Sequence, residues 1–204
     1  ECHDSKLMAG MSHTCTVLAT REITCWGSGY HGRLGYGNTD AVGDGPGEMG
    51  DHLPTIDLGA GMSAVAVSAG SSHTCSVLAA GQIKCWGDGT YGQLGYGNTN
   101  NMGNQASTMG DNLPAVDLGD GMSAVAVSVG SRHTCALLAD GQITCWGYNN
   151  NGELGHEDGK VSGTSSDGSV YMTHQTPAIV GMRDSLITKT AGLPHRNEAM
   201  VLPP

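Results

Sequence analysis

The residues able to do chemistry in this 204-residue chain recur at a single interval. His-Thr-Cys stands at 13–15, 73–75 and 133–135, and Cys-Trp-Gly at 25–27, 85–87 and 145–147, so both triplets repeat every 60 residues. Cysteines ten residues apart invite three chemistries. The first is a disulfide. Cys75 and Cys85 flank a hairpin centred on Ala80; pairing 75 with 85 and 78 with 82 leaves Ala79-Ala80-Gly81 as the turn, with glycine where a left-handed conformation is needed. The same holds for Cys135 and Cys145 around Ala139-Asp140-Gly141. Cys15 and Cys25 also sit opposite one another, although Arg21 takes the glycine place and that turn is expected to be strained or rearranged. Directly paired strand positions lie within reach of a disulfide. Three cross-strand bridges are the preferred reading, each contributing roughly 3 kcal/mol by loop-closure entropy.

The second chemistry is zinc binding, since His73, Cys75 and Cys85 share one face of the hairpin. A fourth ligand and the CxxC spacing of structural zinc sites are missing. The third is free thiols packed as small hydrophobes. The histidine recurs at 13, 73, 133 and 195, the last without a cysteine, so a structural role is preferred: packing between strands and hydrogen-bonding backbone there. Cys2 is the unpaired seventh cysteine.

Carboxylates offer calcium chemistry in one place. Asp40, Asp44, Glu48 and Asp51 are hard oxygen ligands on a glycine-rich loop. The aligned Asn100, Asn104, Thr108 and Asp111 keep one charge, and Gly159–Thr176 replaces the loop in the third unit. The spacing matches no known calcium loop, so a solvated turn segment is preferred. No nucleophile and base form a nonrepeated constellation, and no glycine-rich phosphate loop opens a helix. A formal charge of -10 argues against a surface that neutralises phosphates. No apolar run approaches the roughly 20 residues of a membrane span. The reading is therefore non-enzymatic, without a cofactor, a metal or a nucleic-acid partner.

The elements that must position these residues follow from the repeat. Residues 61–95 and 121–155 are identical at 24 of 35 positions. One repeat domain, 1–204, divides into units 1–60, 61–120 and 121–180, with a partial fourth at 181–204. No helical period persists, and glycine, at 33 residues, recurs too often for long helices. The second unit reads as strands 53–58, 64–68, 73–78 and 82–86. Four short antiparallel strands per repeat is the arithmetic of a β-propeller blade. The fold class is all-β: about three and a half blades in an open arc or incomplete propeller. The first blade is expected to lack its leading strand and the last its final one. Close stacking explains the small side chains of Ala64-Val65-Ala66-Val67-Ser68 and the absence of phenylalanine. Trp26, Trp86 and Trp146 are expected between blades.

Gly70-x-x-His73-Thr74-Cys75, Gly81-Gln82-Ile83-x-Cys85-Trp86-Gly87 and Gly92-Gln93-Leu94-Gly95 together resemble the regulator-of-chromosome-condensation repeat family, in particular its cysteine-containing subgroup. His13, Cys25-Trp26-Gly27 and Gly32-Arg33-Leu34-Gly35 carry the likeness in the first unit, and Gly152-Glu153-Leu154-Gly155 in the third. The resemblance implies a propeller used for protein binding, usually of seven blades. Three and a half units fall short of that ring, and no inserted wedge for nucleotide exchange on a small GTPase is evident.

The expected function is a noncatalytic accessory subunit whose ends or loop face dock on a larger assembly. The loops 37–52, 97–112 and 156–176 are the candidate contacts, through Asp40, Asp44, Glu48, Asp51, Asn100, Asn104 and Asp111. Disulfides point to an oxidising compartment. With a start at Glu1 rather than Met, which suggests processing or a fragment, they favour a secreted protein or one in an organelle lumen, although no Asn-x-Ser/Thr sequon is present. Alternatives are a secreted inhibitor of an enzyme, a peripheral lumenal subunit of a membrane complex such as a photosynthetic one, and, less favoured, a GTPase exchange factor.

Overall fold

The computed structural model describes residues 7–155. The partial fourth unit, the loop 156–176, His195 and Cys2 lie outside them. Among the described residues nine strands form three antiparallel sheets in simple chain order. Blade one is β1 Leu7–Ala9, β2 His13–Val17 and β3 Ile23–Gly27. Blade two is β4 Ala64–Ala69, β5 His73–Leu78 and β6 Ile83–Gly87. Blade three is β7 Ala124–Val129, β8 His133–Leu138 and β9 Ile143–Gly147. The connections hold only short 3-10 turns, such as Tyr30–Gly32 and Ala106–Thr108. Among the described residues no helix is long and apolar enough to cross a membrane.

The hairpin register follows from the turn. Leu78 N–H donates to the Gln82 carbonyl and Gly81 N–H to the Leu78 carbonyl, which places Cys75 opposite Cys85. In blade one the same turn forms around Arg21, at φ 67° where Gly81 has 79°. The turn is therefore kept and the non-glycine residue held in the left-handed region, a conformation worth roughly 1 kcal/mol of strain.

Two strand expectations are corrected. Blade one opens on β1, which pairs with β2 through Met8 and Cys15 and is the counterpart of 64–68 rather than of 53–58; the strand it was expected to lack was counted from 53–58. Residues 53–58 do not lead blade two. They run extended along the outer edge of β3, where Ile56 N–H reaches the Ile23 carbonyl at 2.8 Å; Val116 does the same to Ile83. A full fourth ladder does not form because a tyrosine takes its place. The Tyr36 hydroxyl accepts from the Cys25 amide at 2.9 Å and lies 2.7 Å from the Cys25 carbonyl. Tyr96 treats Cys85 in the same way, at 2.8 Å on both sides. Pro54 also lacks an N–H to contribute.

The core lies between blades. Cys15, Val17, Ile23 and Cys25 cluster with Ala64, Leu78 and Trp86 of the next blade. Cys75, Val77, Ile83 and Cys85 do so with Ala124, Leu138 and Trp146. The approach is close enough that a Cβ on Gly70 would overlap the Gly130 carbonyl oxygen. Small side chains are a condition of this stacking.

Candidate functional site

The repeated His-Thr-Cys triplet builds a joint between neighbouring blades. His13 Nε2 lies 2.8 Å from Thr74 Oγ1, and Thr74 Oγ1 donates to the Arg33 carbonyl at 2.9 Å. The Trp86 indole N–H meets that same carbonyl at 3.1 Å. One interface on, His73 Nε2 lies 2.8 Å from Thr134 Oγ1. There Thr134 and Trp146 converge on the Gln93 carbonyl at 2.8 and 2.9 Å. A hydroxyl has one proton, and here it goes to the carbonyl. The histidine is therefore the donor through Nε2–H, and its Nδ1, buried without a partner in both His13 and His73, is bare.

A second proton, on Nδ1, would be buried without an acceptor. Burial, aided by the Arg33 guanidinium, lowers the His13 pKa to about 4. Burial lowers His73 to about 3, with Asp88 opposing and the His13 and His133 rings adding to it. These imidazoles are structural donors rather than bases or ligands. The expectation that the histidine bonds backbone is corrected: its partner is a threonine side chain 61 positions away.

Each cysteine pair lies at bonding distance, with Cα atoms 4.1 Å apart. The pairs occupy the face that receives the next blade, and the first two are fully buried. With the sulfurs paired in this way, His73 has no thiolate beside it for a zinc site. Among the described residues no group of three or more His, Cys, Asp or Glu side chains could hold a metal.

The loop residues serve several ends. Glu48 turns inward, its Oε2 accepting from the Gly43 and Gly45 amides at 2.7 and 2.9 Å. Those bonds hold its carboxyl below the usual range. Thr108 takes over the first of them, accepting from Gly103 at 2.8 Å. Asp111 accepts from the Ala60 amide at 2.8 Å. Asp40, Asp44 and Asp51 are exposed, and Asn104 is half-buried. Asn100 and Asn104 help line an open cavity of about 560 Å³ with Thr90, Asn101 and Gln105, a neutral surface of amides and hydroxyls.

Several functional residues escaped sequence reasoning. Thr74 and Thr134 stood in the repeated triplet, and Arg33 and Gln93 in a repeated Gly-x-Leu-Gly run, but nothing marked the carbonyls of the latter pair as the acceptors. Their buried side chains bond differently, Arg33 donating to the Tyr30 and Ser71 carbonyls and Gln93 accepting from the Tyr91 amide. Lys84 gave no signal either, standing where the other units have Thr24 and Thr144. It is buried, and its Nζ donates to the Leu58 carbonyl at 2.6 Å and the Gly110 carbonyl at 3.3 Å. Burial lowers its pKa while Asp111 and Asp57 oppose that. Lys84 thus ties the outer edge of blade one to the long loop of blade two.

The sequence and fold match known proteins at this point. Residues 23–77 and 80–137, together more than half of the chain, match the regulator of chromosome condensation (RCC1) repeat. A second description of that repeat matches 64–93 and 124–153. Human RCC1 domain-containing protein 1 is 31% identical over 188 residues, covering 78% of this chain and 48% of that protein. Human E3 ubiquitin-protein ligase HERC2 is 31% identical over 157 residues, 76% of this chain and 3% of that protein. The chain therefore spans less than half the length of either relative. The Saccharomyces cerevisiae Prp20p structure, described with its binding properties to Gsp1p and histones, is 18% identical with a TM-score of 0.53. It covers 73% of this chain and 34% of that one, a likeness of fold. On these repeats, their spacing and the blades they build, the chain belongs to the regulator of chromosome condensation (RCC1) repeat family.

Proposed function

We propose that the chain is a noncatalytic protein-binding scaffold, an accessory subunit that docks on a larger assembly in an oxidising compartment, secreted or lumenal. One observation carries this reading. The conspicuous histidine, threonine and tryptophan groups are used to join blades, while 37–52 and 97–112 leave exposed amides, hydroxyls and carboxylates on a rigid frame. The buried imidazoles are used to hold the frame, whereas loops on a rigid scaffold are where binding residues concentrate. Paired cysteines in every described blade fit an oxidising compartment. The test is comparative capture from the source by the unaltered chain and by a variant with Asp40, Asp44, Asn100 and Asn104 replaced by serine. The expected result is one protein partner, lost in the variant although its fold is retained. Equal capture by both would overturn the loop reading. Acid-quenched thiol mass measurement on native material should find the six repeated cysteines bonded, and free thiols throughout would remove the compartment assignment.

A further inference from the structure

The loops that follow β3 and β6 start from the same backbone bridge, Gly27 with Val42 and Gly87 with Met102, and differ in chemistry. Asp40, Ala41, Asp44, Gly45 and Glu48 of the first align with Asn100, Asn101, Asn104, Gln105 and Thr108 of the second. Each carboxylate among these positions gives way to a neutral group, and both small residues give way to carboxamides. In blade one Glu48 closes the loop on the Gly43 and Gly45 amides. In blade two Thr108 closes on the Gly103 amide alone, and the loop borders the cavity of about 560 Å³. None of the residues lining that cavity is ionisable.

Part of the lining is fixed and part is free to bond. Asn101 Oδ1 accepts from the Gly89 amide at 2.9 Å, so its NH2 group is the one that meets His31 Nδ1, at 3.1 Å. The carboxamides of Asn100, Asn104 and Gln105 and the Thr99 hydroxyl make no hydrogen bond among the described residues. A carboxamide offers two donors and an acceptor oxygen, so together they form a dense neutral set of both kinds. His31 leads from the cavity to an exposed aromatic ring. Its centroid lies 3.9 Å from that of Tyr30, which is 62% exposed and has the Arg33 guanidinium 5.9 Å from its ring centre. His31 is held at φ 64°, a left-handed conformation that the aligned Tyr91 does not adopt. Backbone strain of this kind collects at ligand clamps.

We propose that this cavity is a saccharide site. The carboxamides of Asn100, Asn104 and Gln105 hydrogen-bond the hydroxyls of a neutral sugar chain, and the Tyr30 ring packs on the C–H face of a neighbouring unit. Sugar hydroxyls both donate and accept, as carboxamides do, and a lining without charge offers nothing to an ionic ligand. A peptide strand would call for a free strand edge, whereas these groups are side chains on a loop. The inference rests on the docking reading above and names what the loop of blade two binds: a glycan carried by the partner, as secreted proteins bear.

The test uses the full 204-residue chain, with mannotriose, maltotriose and chitotriose as neutral probes and tetraglycine as the peptide probe. Saturation-transfer NMR and titration calorimetry read the binding. At least one saccharide should bind, and more tightly than tetraglycine. Asn104→Ala and Tyr30→Ala, with tryptophan fluorescence unchanged, should each weaken that binding about tenfold. Absence of saccharide binding, variants that bind as the unaltered chain does, or a preference for tetraglycine would each overturn the proposal. A variant-free arm repeats capture from the source after enzymatic removal of glycans, and capture should be lost. Capture that survives overturns the glycan inference and leaves protein docking standing. Saccharide binding with no partner captured from untreated source supports the site and removes the docking reading instead.

Discussion

Strands β4 and β7 begin with the same five residues, Ala-Val-Ala-Val-Ser, and have opposite surroundings. Both pair with the next strand in the same register, with the same bulge at the second residue. Yet Ser68 and Val67 are buried in β4, whereas Val125, Ala126 and Ser128 are exposed in β7. Local sequence made both strands. Among the described residues only the first has a neighbouring blade on each side. In a stacked repeat, stability is a sum of unit and interface terms, so one motif carries different weight at different places along the chain.

Four measurements would break or sharpen that contrast. The largest effect is expected at the tryptophans. Trp86→Ala removes a fully buried ring and one of the two hydrogen bonds to the Arg33 carbonyl, so denaturant unfolding should show a loss of about 3–5 kcal/mol. Trp26→Ala, at the half-buried leading end, should lose less than about half of that; equal losses would mean that both faces are packed alike.

Acid should weaken the internal joints next. His13 and His73 have folded pKa values of about 4 and about 3, below the usual 6.5. The unfolded chain then binds more protons, so the stability these groups allow is full above pH 6.5. It falls as the pH drops through the window between that value and the folded pKa. The slope there is about 1.4 kcal/mol per pH unit for each histidine. His73→Gln should flatten the profile by close to one proton between pH 6 and 4 in unfolding midpoints, and an unchanged slope would refute the buried neutral tautomer.

Aligned positions on blades two and three give a smaller contrast. Val77 is 1% exposed and Leu137, at the aligned position, 40%. Val77→Ala should cost about 2 kcal/mol and Leu137→Ala under about 0.5 kcal/mol, read from chemical denaturation. The smallest effect is at the hairpin turns. Arg21 holds the left-handed conformation that glycine holds in the other two blades. Arg21→Gly should therefore raise stability by about 0.5–1 kcal/mol, whereas Gly81→Ala should lower it; thermal shifts of opposite sign are the expected readout.

Much of the blade was legible because it is local. The ten-residue separation of the cysteines and the Gly81 turn together set the strand register, and β5 and β6 fall where alternation and turn residues place them. Blade one was expected to lack a strand only because 53–58 was counted at the head of blade two, whereas Ile56 bonds to Ile23 of blade one. The fourth strand was misplaced because 53–58 is extended and apolar enough to pair on either side. Nothing local revealed that Tyr36, 11 residues after Cys25, would satisfy that edge first. The histidine was recognised as structural, but its partner was not, since a bond across 61 positions exists only once two blades are stacked.

The sequence by itself determined the period, which comparison of the units displays, and the all-β class, the opposed cysteines and the turns between them, because each of these depends on neighbours within about a dozen residues. Tertiary structure alone decided which identical strand is covered, which carbonyl receives the threonine and the indole, and that Lys84 is buried between Leu58 and Gly110. Those outcomes depend on which surface lies against which. Burial is a property of the pair in contact, and a single repeat does not encode its neighbour.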